Sequence, residues 1–169
     1  SEKGNSEVPD PLPRAYAVGH YIQTSSEEQS LAAIKQNISS LDATVVLENA
    51  TPTFTSAPGF QRYKEVAITQ YSPNRVELLV EAIEPSIVVL TDAYYPGWQA
   101  YIDGNSTHIL RANSLFRAVE VPVGNHSVVF EYRPRSLYWG AIISVLTFFL
   151  IIVLLVTARV RRHGVTSAL

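Results

Sequence analysis

Short apolar-polar alternations separated by turn residues, then one long uncharged run, predict a mainly β chain. The expected architecture is an antiparallel β-sandwich, jelly-roll-like, with a short amphipathic helix near its start and one C-terminal transmembrane helix. Three observations carry this. Turn signals at Ser72-Pro73-Asn74, Glu84-Pro85, Asp103-Gly104 and Val123-Gly124-Asn125 punctuate alternating segments, the pattern of a sandwich rather than of βαβ units. Ser25 followed by Glu28 reads as a capping box, after which Leu31, Ile34 and Ile38 recur at helical spacing. Leu137 to Ala158 holds no charged residue and no proline; as a helix it is about 33 Å long, enough to cross a hydrocarbon core. A buried helix of a soluble core is rarely apolar all round, and a domain this small has little protein with which to cover one.

The elements follow in order. Ser1 to Pro13 is polar and Pro-rich and reads as a linker. Arg14 to Gln23 alternates as a strand, with Tyr16, Val18 and His20 on one face and Gly19 marking a bulge. A helix is expected from Ser26 to about Asn37, and a β-branched strand from Asp42 to Glu48. Asn49 to Gly59, rich in Thr, Pro and Ser, reads as an exposed loop. Glu65 to Tyr71 pairs with the stretch in which Val76, Leu78 and Val80 alternate with Glu77, Leu79 and Glu81. Ser86 to Thr91 is apolar nearly throughout, as a central strand should be. Tyr94 to Trp98 forms an aromatic turn around Pro96 and Gly97. Gln99 to Ile102 and Asn105 to Leu110 flank Asp-Gly as a hairpin, because Asp-Gly tolerates positive φ at both central positions. Phe116 to Pro122 and Ser127 to Tyr132 complete the set.

The expected organisation is a linker at 1–13, an extracytoplasmic sandwich at 14–135, a membrane span at 136–158 and a basic cytoplasmic tail at 159–169. Arg159, Arg161 and Arg162 after the span, and Tyr138 and Trp139 at its start, favour a cytoplasmic C-terminus, although Arg133 and Arg135 blur the asymmetry. The opening residues lack the apolar core of a secretory signal. An exported domain of this kind is therefore expected to follow earlier membrane spans in a longer protein.

Composition excludes several chemistries. The chain has no Cys, so disulfides and thiolate metal sites are unavailable. Residues 1–158 carry ten Lys or Arg and fifteen Asp or Glu, a formal charge of −5, which does not attract nucleic acid. His20, His108, His126 and His163 are scattered without metal-ligand spacing. Neither a nucleophile elbow nor a Gly-rich phosphate loop occurs, and Glu27-Glu28 suits a helix first turn without catalysis. No catalytic residue, metal or cofactor is assigned. The sequons at Asn37, Asn49, Asn105 and Asn125 are read as structural.

The candidate binding group is Tyr94, Tyr95, Trp98, Asp103, Arg111 and Asn113. Exposed rings offer flat faces for stacking a sugar, and Asp, Arg and Asn offer directional hydrogen bonds to hydroxyls. The alternative is that Trp98 and a Tyr fill the end of the sandwich while Arg111 and Asn113 bond loop carbonyls; the habit of Tyr and Trp of burying large areas favours it.

The series LPRAYAVG (Leu12 to Gly19), YSPNRVEL (Tyr71 to Leu78), DAYYPGWQAYIDG (Asp92 to Gly104), ILRAN (Ile109 to Asn113) and VPVGNHSVVFEYRP (Val121 to Pro134), closed by an apolar span, resembles the C-terminal end of the YfhO family of bacterial membrane proteins. The resemblance implies a polytopic, glycosyltransferase-like parent. By that resemblance the parent takes sugar from a polyprenyl-phosphate carrier and decorates cell-envelope polymers such as lipoteichoic acid on the outer face of the membrane. It places the catalytic acid in an early extracytoplasmic loop with no counterpart here, so the chain is expected to be an accessory domain. The implied partners are the lipid bilayer, the parent's other spans, and a polyprenyl-linked sugar or cell-wall polymer. The alternative function is a glycan-binding or scaffolding module held by one span, without catalysis.

Overall fold

The computed structural model describes residues 11–56 and 62–166. Residues 1–10 of the expected linker, 57–59 of the expected loop and 167–169 of the expected tail lie outside the described residues. The chain divides into two compact units, one ending at Arg133 and one beginning at Pro134.

The first unit is built from two sheets. Its strands are β1 (Ala15–Val18), β2 (His20–Thr24), β3 (Thr44–Glu48), β4 (Lys64–Glu65), β5 (Ala67–Ser72), β6 (Arg75–Ala82), β7 (Ser86–Ala93), β8 (Trp98–Ile102), β9 (Asn105–Thr107), β10 (Leu110–Ala112), β11 (Phe116–Val121) and β12 (Gly124–Tyr132). Among the described residues one sheet runs β2-β3-β10-β11-β7-β1-β4 and the other β5-β6-β12-β8-β9. All pairings are antiparallel except β2 with β3, which is parallel. A parallel neighbour needs a crossover, and the helix α1 (Glu27–Gln36) provides it.

The single strand expected over Arg14 to Gln23 is two, broken at Gly19. β1 pairs with β7 through Val18↔Ile87, whereas β2, one residue later, pairs with β3 through His20↔Thr44. Strands near opposite ends of the sheet order are thus consecutive in the chain, and the path β1-β7-β11-β10-β3-β2 closes on itself through Gly19. Inside this ring lies one apolar cluster, made by Tyr16, Val18, Val45, Leu47, Ile87, Val89, Leu110, Ala112 and Ala118. Burial pushes the Tyr16 hydroxyl up to about 12, with Asn113 opposing.

A second cluster fills the space between the sheets: Ala15, Ala17, Val88, Leu90, Val119 and Val121 face Val76, Leu78, Val80, Val128 and Phe130. β1, β7 and β11 contribute alternate residues to both clusters, so both of their faces are buried. That explains why Ser86 to Leu90 is buried without interruption. β6, with one face on the core, instead shows buried residues at Val76, Leu78, Val80 and Ala82.

Two local expectations shift by one residue. The helix cap is Ser26, whose hydroxyl accepts from the Gln29 N–H at 3.3 Å, while Gln29 Oε1 accepts from the Ser25 N–H at 3.0 Å. The box is Ser26 with Gln29, not Ser25 with Glu28. The face turned inward is Ser30, Ala33, Ile34 and Asn37, and Leu31 and Ile38 are exposed. Ser30 is fully buried, with its Oγ 2.6 Å from Thr24 Oγ1; small residues let α1 lie close on β2 and β3. The loop after β3 is also less free than expected. Phe54 meets Tyr21 edge-on at 5.5 Å, and its carbonyl accepts from the Tyr21 hydroxyl.

The second unit is α2 (Arg135–Thr166). Trp139–Val156 has a mean hydropathy of 2.8 over 18 residues, none of it buried. Its two hydroxyl side chains are satisfied within the helix: Ser144 Oγ donates to the Gly140 carbonyl at 2.9 Å and Thr147 Oγ1 to that of Ile143 at 2.8 Å. A hydrocarbon environment demands such pairing.

Candidate functional site

Among the chain's passages between the two sheets, two lie close together. After β7 the chain crosses through Tyr94 to Gly97 into β8, and after β9 it crosses back through His108 and Ile109 into β10. The expected strand Asn105 to Leu110 is therefore divided between sheets. A cleft of about 400 Å³ lies at these crossings, lined by Tyr94, Tyr95 and Trp98 from the first and by Ser106, Thr107 and His108 from the second. A second cleft of about 260 Å³ shares Tyr94, His108 and Ile109 with it and adds Glu48, Asn49 and Arg111.

Four of the six candidate residues therefore meet around Tyr94. Tyr94 and Tyr95 present exposed rings. Arg111 sits opposite Glu48 in the β10–β3 register, with Nη1 3.2 Å from Glu48 Oε1, and its Nε donates to the Ser114 carbonyl at 2.8 Å.

Asp103 and Asn113 stand apart. Asp103 lies at the far end of β8 from Trp98, roughly 16 Å along the strand. Its φ of 50° and the 81° of Gly104 are those of the expected hairpin turn. Its Oδ2 is 2.6 Å from His126 Nδ1, and its Oδ1 accepts from the Ser127 N–H at 2.9 Å. Asn113, with φ 48°, forms the β10–β11 turn with Ser114; its Oδ1 accepts from the Val46 N–H at 2.9 Å.

Beneath the cleft lies a group that sequence reasoning missed. Arg117 is only 2% exposed. Its Nη2 donates to Asp92 Oδ2 at 2.9 Å, and its guanidinium carbon is 3.6 Å from the Trp98 ring centroid. Trp98 also meets Tyr132 at 5.4 Å. Asp92 accepts as well from Arg14 Nη2 at 3.0 Å and from the Tyr71 hydroxyl at 3.2 Å. Desolvation pushes the Arg117 pKa down, and Asp92 opposes that shift; the bond to Asp92 pushes Arg14 up. The signal was present in the sequence: at period two, Arg117 falls on the same face of β11 as Val119 and Val121, which is the core face. A charge on a core face calls for a partner.

A long unburied apolar helix following a two-sheet β-domain with an aromatic cleft defines a membrane protein that carries a folded β-domain. Residues 13–144 match the family described as "Bacterial membrane protein YfhO". The match covers most of the chain, which belongs to the YfhO family. No curated protein and no solved structure matches it.

Two outcomes are expected. Asp92→Ala strands Arg117 without its counter-ion and costs about 3–5 kcal/mol, whereas Arg117→Met costs less, because Asp92 keeps Arg14 and Tyr71. Denaturant midpoints of the full chain in detergent test the order. The Asp103–His126 pair makes stability pH-dependent at both ends. Its bond to Asp103 raises the His126 pKa above the ordinary 6.5, so that contribution is complete below 6.5 and lost as pH rises through the raised value. The bond to His126 lowers the Asp103 pKa below 3.8, so that contribution is complete above 3.8 and lost as pH falls through the lowered value. Melting temperatures of the full chain should peak between these limits, and His126→Gln should flatten the alkaline limb.

Proposed function

We propose that this chain is the extracytoplasmic C-terminal domain and a membrane span of a YfhO-type membrane glycosyltransferase, with its C-terminus in the cytoplasm. In this reading the domain steadies a saccharide, on its polyprenyl carrier or on the acceptor polymer, while the parent's own site performs transfer. The observation that carries it is the cleft between the sheet crossings. Tyr94 and Tyr95 offer exposed rings there, and Ser106, Thr107 and His108 add donors and acceptors to the same lining. Arg111 extends the polar side into the adjoining cleft. Asp103 and Asn113, engaged in their turns, are not part of this reading.

The same geometry selects the test. Trp98 is stacked against buried Arg117, so Trp98→Ala disturbs packing and reports poorly on binding. Tyr94→Ala and Tyr95→Ala remove exposed rings. Each is expected to weaken saccharide engagement by about 2- to 12-fold, the equivalent of roughly 0.5–1.5 kcal/mol per ring contact. The readout is sugar transfer to the envelope polymer by the intact parent protein, as KM for the acceptor and for the lipid-linked donor. A folded double variant that transfers normally from both sides would sink the reading. Normal transfer with loss of a membrane-protein partner would favour a scaffold.

A further inference from the structure

We propose that the end of the β-domain from which the chain departs toward α2 is a bilayer-contacting surface, with Tyr95 and Leu115 seated in the headgroup region. The departure point is fixed within the first unit: the Tyr132 N–H donates to the Asn74 carbonyl at 2.8 Å, and the Arg133 N–H donates to the Gly97 carbonyl at 2.7 Å. The chain thus leaves beside the Tyr94–Gly97 turn. Only residues 134–138 lie between Arg133 and Trp139, the first residue of the membrane-length window. Even fully extended, that connection reaches about 20 Å. The interfacial layer on each side of the hydrocarbon adds several ångströms toward the domain, so the tether holds the turn within about 20 Å of lipid at its longest.

The surface found there has matching chemistry. Tyr95 is 62% exposed and Leu115 56%. The Tyr94 N–H donates to the Leu115 carbonyl at 2.6 Å, which sets the two loop tips side by side. Tyr71, also exposed, joins the same end through its bond to Asp92, two residues before Tyr94, and Arg14 stacks on its ring. Tyrosine rings with a wet hydroxyl and an apolar body favour the headgroup level, and a neighbouring arginine suits lipid phosphate. The opposite end is equally apolar at its tips, Ile83 being 80% exposed and Val123 58%, but neither tip carries a Tyr or Trp. The pairing of Ala82 with Gly124 sets those two tips together, away from the departure point.

The proposal stands apart from saccharide binding, and its test needs no sugar. The chain has no cysteine, so Tyr95→Cys, Leu115→Cys, Ile83→Cys and Val123→Cys each give one labelling site. The full chain is spin-labelled at each position in nanodiscs of phosphatidylglycerol and phosphatidylethanolamine. Collision with apolar oxygen relative to a water-soluble nickel complex is then measured by power saturation, with circular dichroism verifying the fold. The expected result is a several-fold higher oxygen preference at 95 and 115 than at 83 and 123. Four equally aqueous labels, or the reverse order, overturn the proposal. Because the labels report depth alone, that failure would leave the saccharide reading to its own transfer assay.

Discussion

The β-domain depends on the closure of one sheet through Gly19. A strand that pairs with β7 on one side of that residue and with β3 on the other forces the intervening strands to curl into a ring. A curled sheet needs something inside it. Tyr16, Leu47 and Ile87 supply that filling, while the outer faces of β1, β7 and β11 must also pack on the second sheet. Double burial then dictates composition, since a strand with no solvent face cannot alternate. Apolar-polar alternation is absent from β7 for this reason: Ile87, Val88, Val89 and Leu90 are all fully buried.

The clefts are by-products of that architecture. A second sheet lying on a ring requires the chain to step between them, and the steps at Tyr94–Gly97 and at His108–Ile109 leave irregular backbone at the same end of β8 and β10. Gly97, with φ 104°, permits the first step. Side chains on such segments are free of the alternation that binds strand residues to a core or a solvent face, which is how three large rings come to stand in one short turn.

Much of this was legible in the sequence, and what was hidden was hidden for physical reasons. Turn chemistry and periodicity are local, so the strands, the Asp103-Gly104 hairpin and the apolar helix could be read from neighbours a few residues apart. Sheet membership is not local. Nothing within Asn105 to Leu110 says that β9 and β10 belong to different sheets, and nothing around Gly19 says that its two sides pair far apart. For α1, one apolar stripe placed the helix but gave the wrong phase, because Ser30 gains a hydrogen bond by facing inward and Leu31 does not. At the site, residue type drew Tyr94, Tyr95, Trp98 and Arg111 together with Asp103 and Asn113, but the last two serve turns whose positive φ suits Asp and Asn. Arg117 was readable by its phase on β11, yet Asp92 and Arg14 were not, since their partnership spans three strands or strand ends.

The Arg117 pair also says what kind of order the aromatic turn requires. On stability alone, a buried arginine is a poor choice: desolvation is costly, and an apolar side chain of similar volume commonly does as well. A methionine could fill the space under Trp98. It would lack direction, because its contacts are indifferent to how the indole is tilted. A planar guanidinium held by Asp92 on one edge presents a fixed face to the ring at 3.6 Å, a contact worth about 2 kcal/mol or more where water is excluded. Asp92 is itself held by Arg14 and Tyr71 from β1's approach and from β5, so both sheets converge on the orientation of one indole. The charge is therefore better understood as fixing the wall of the cleft than as stabilising the core beneath it.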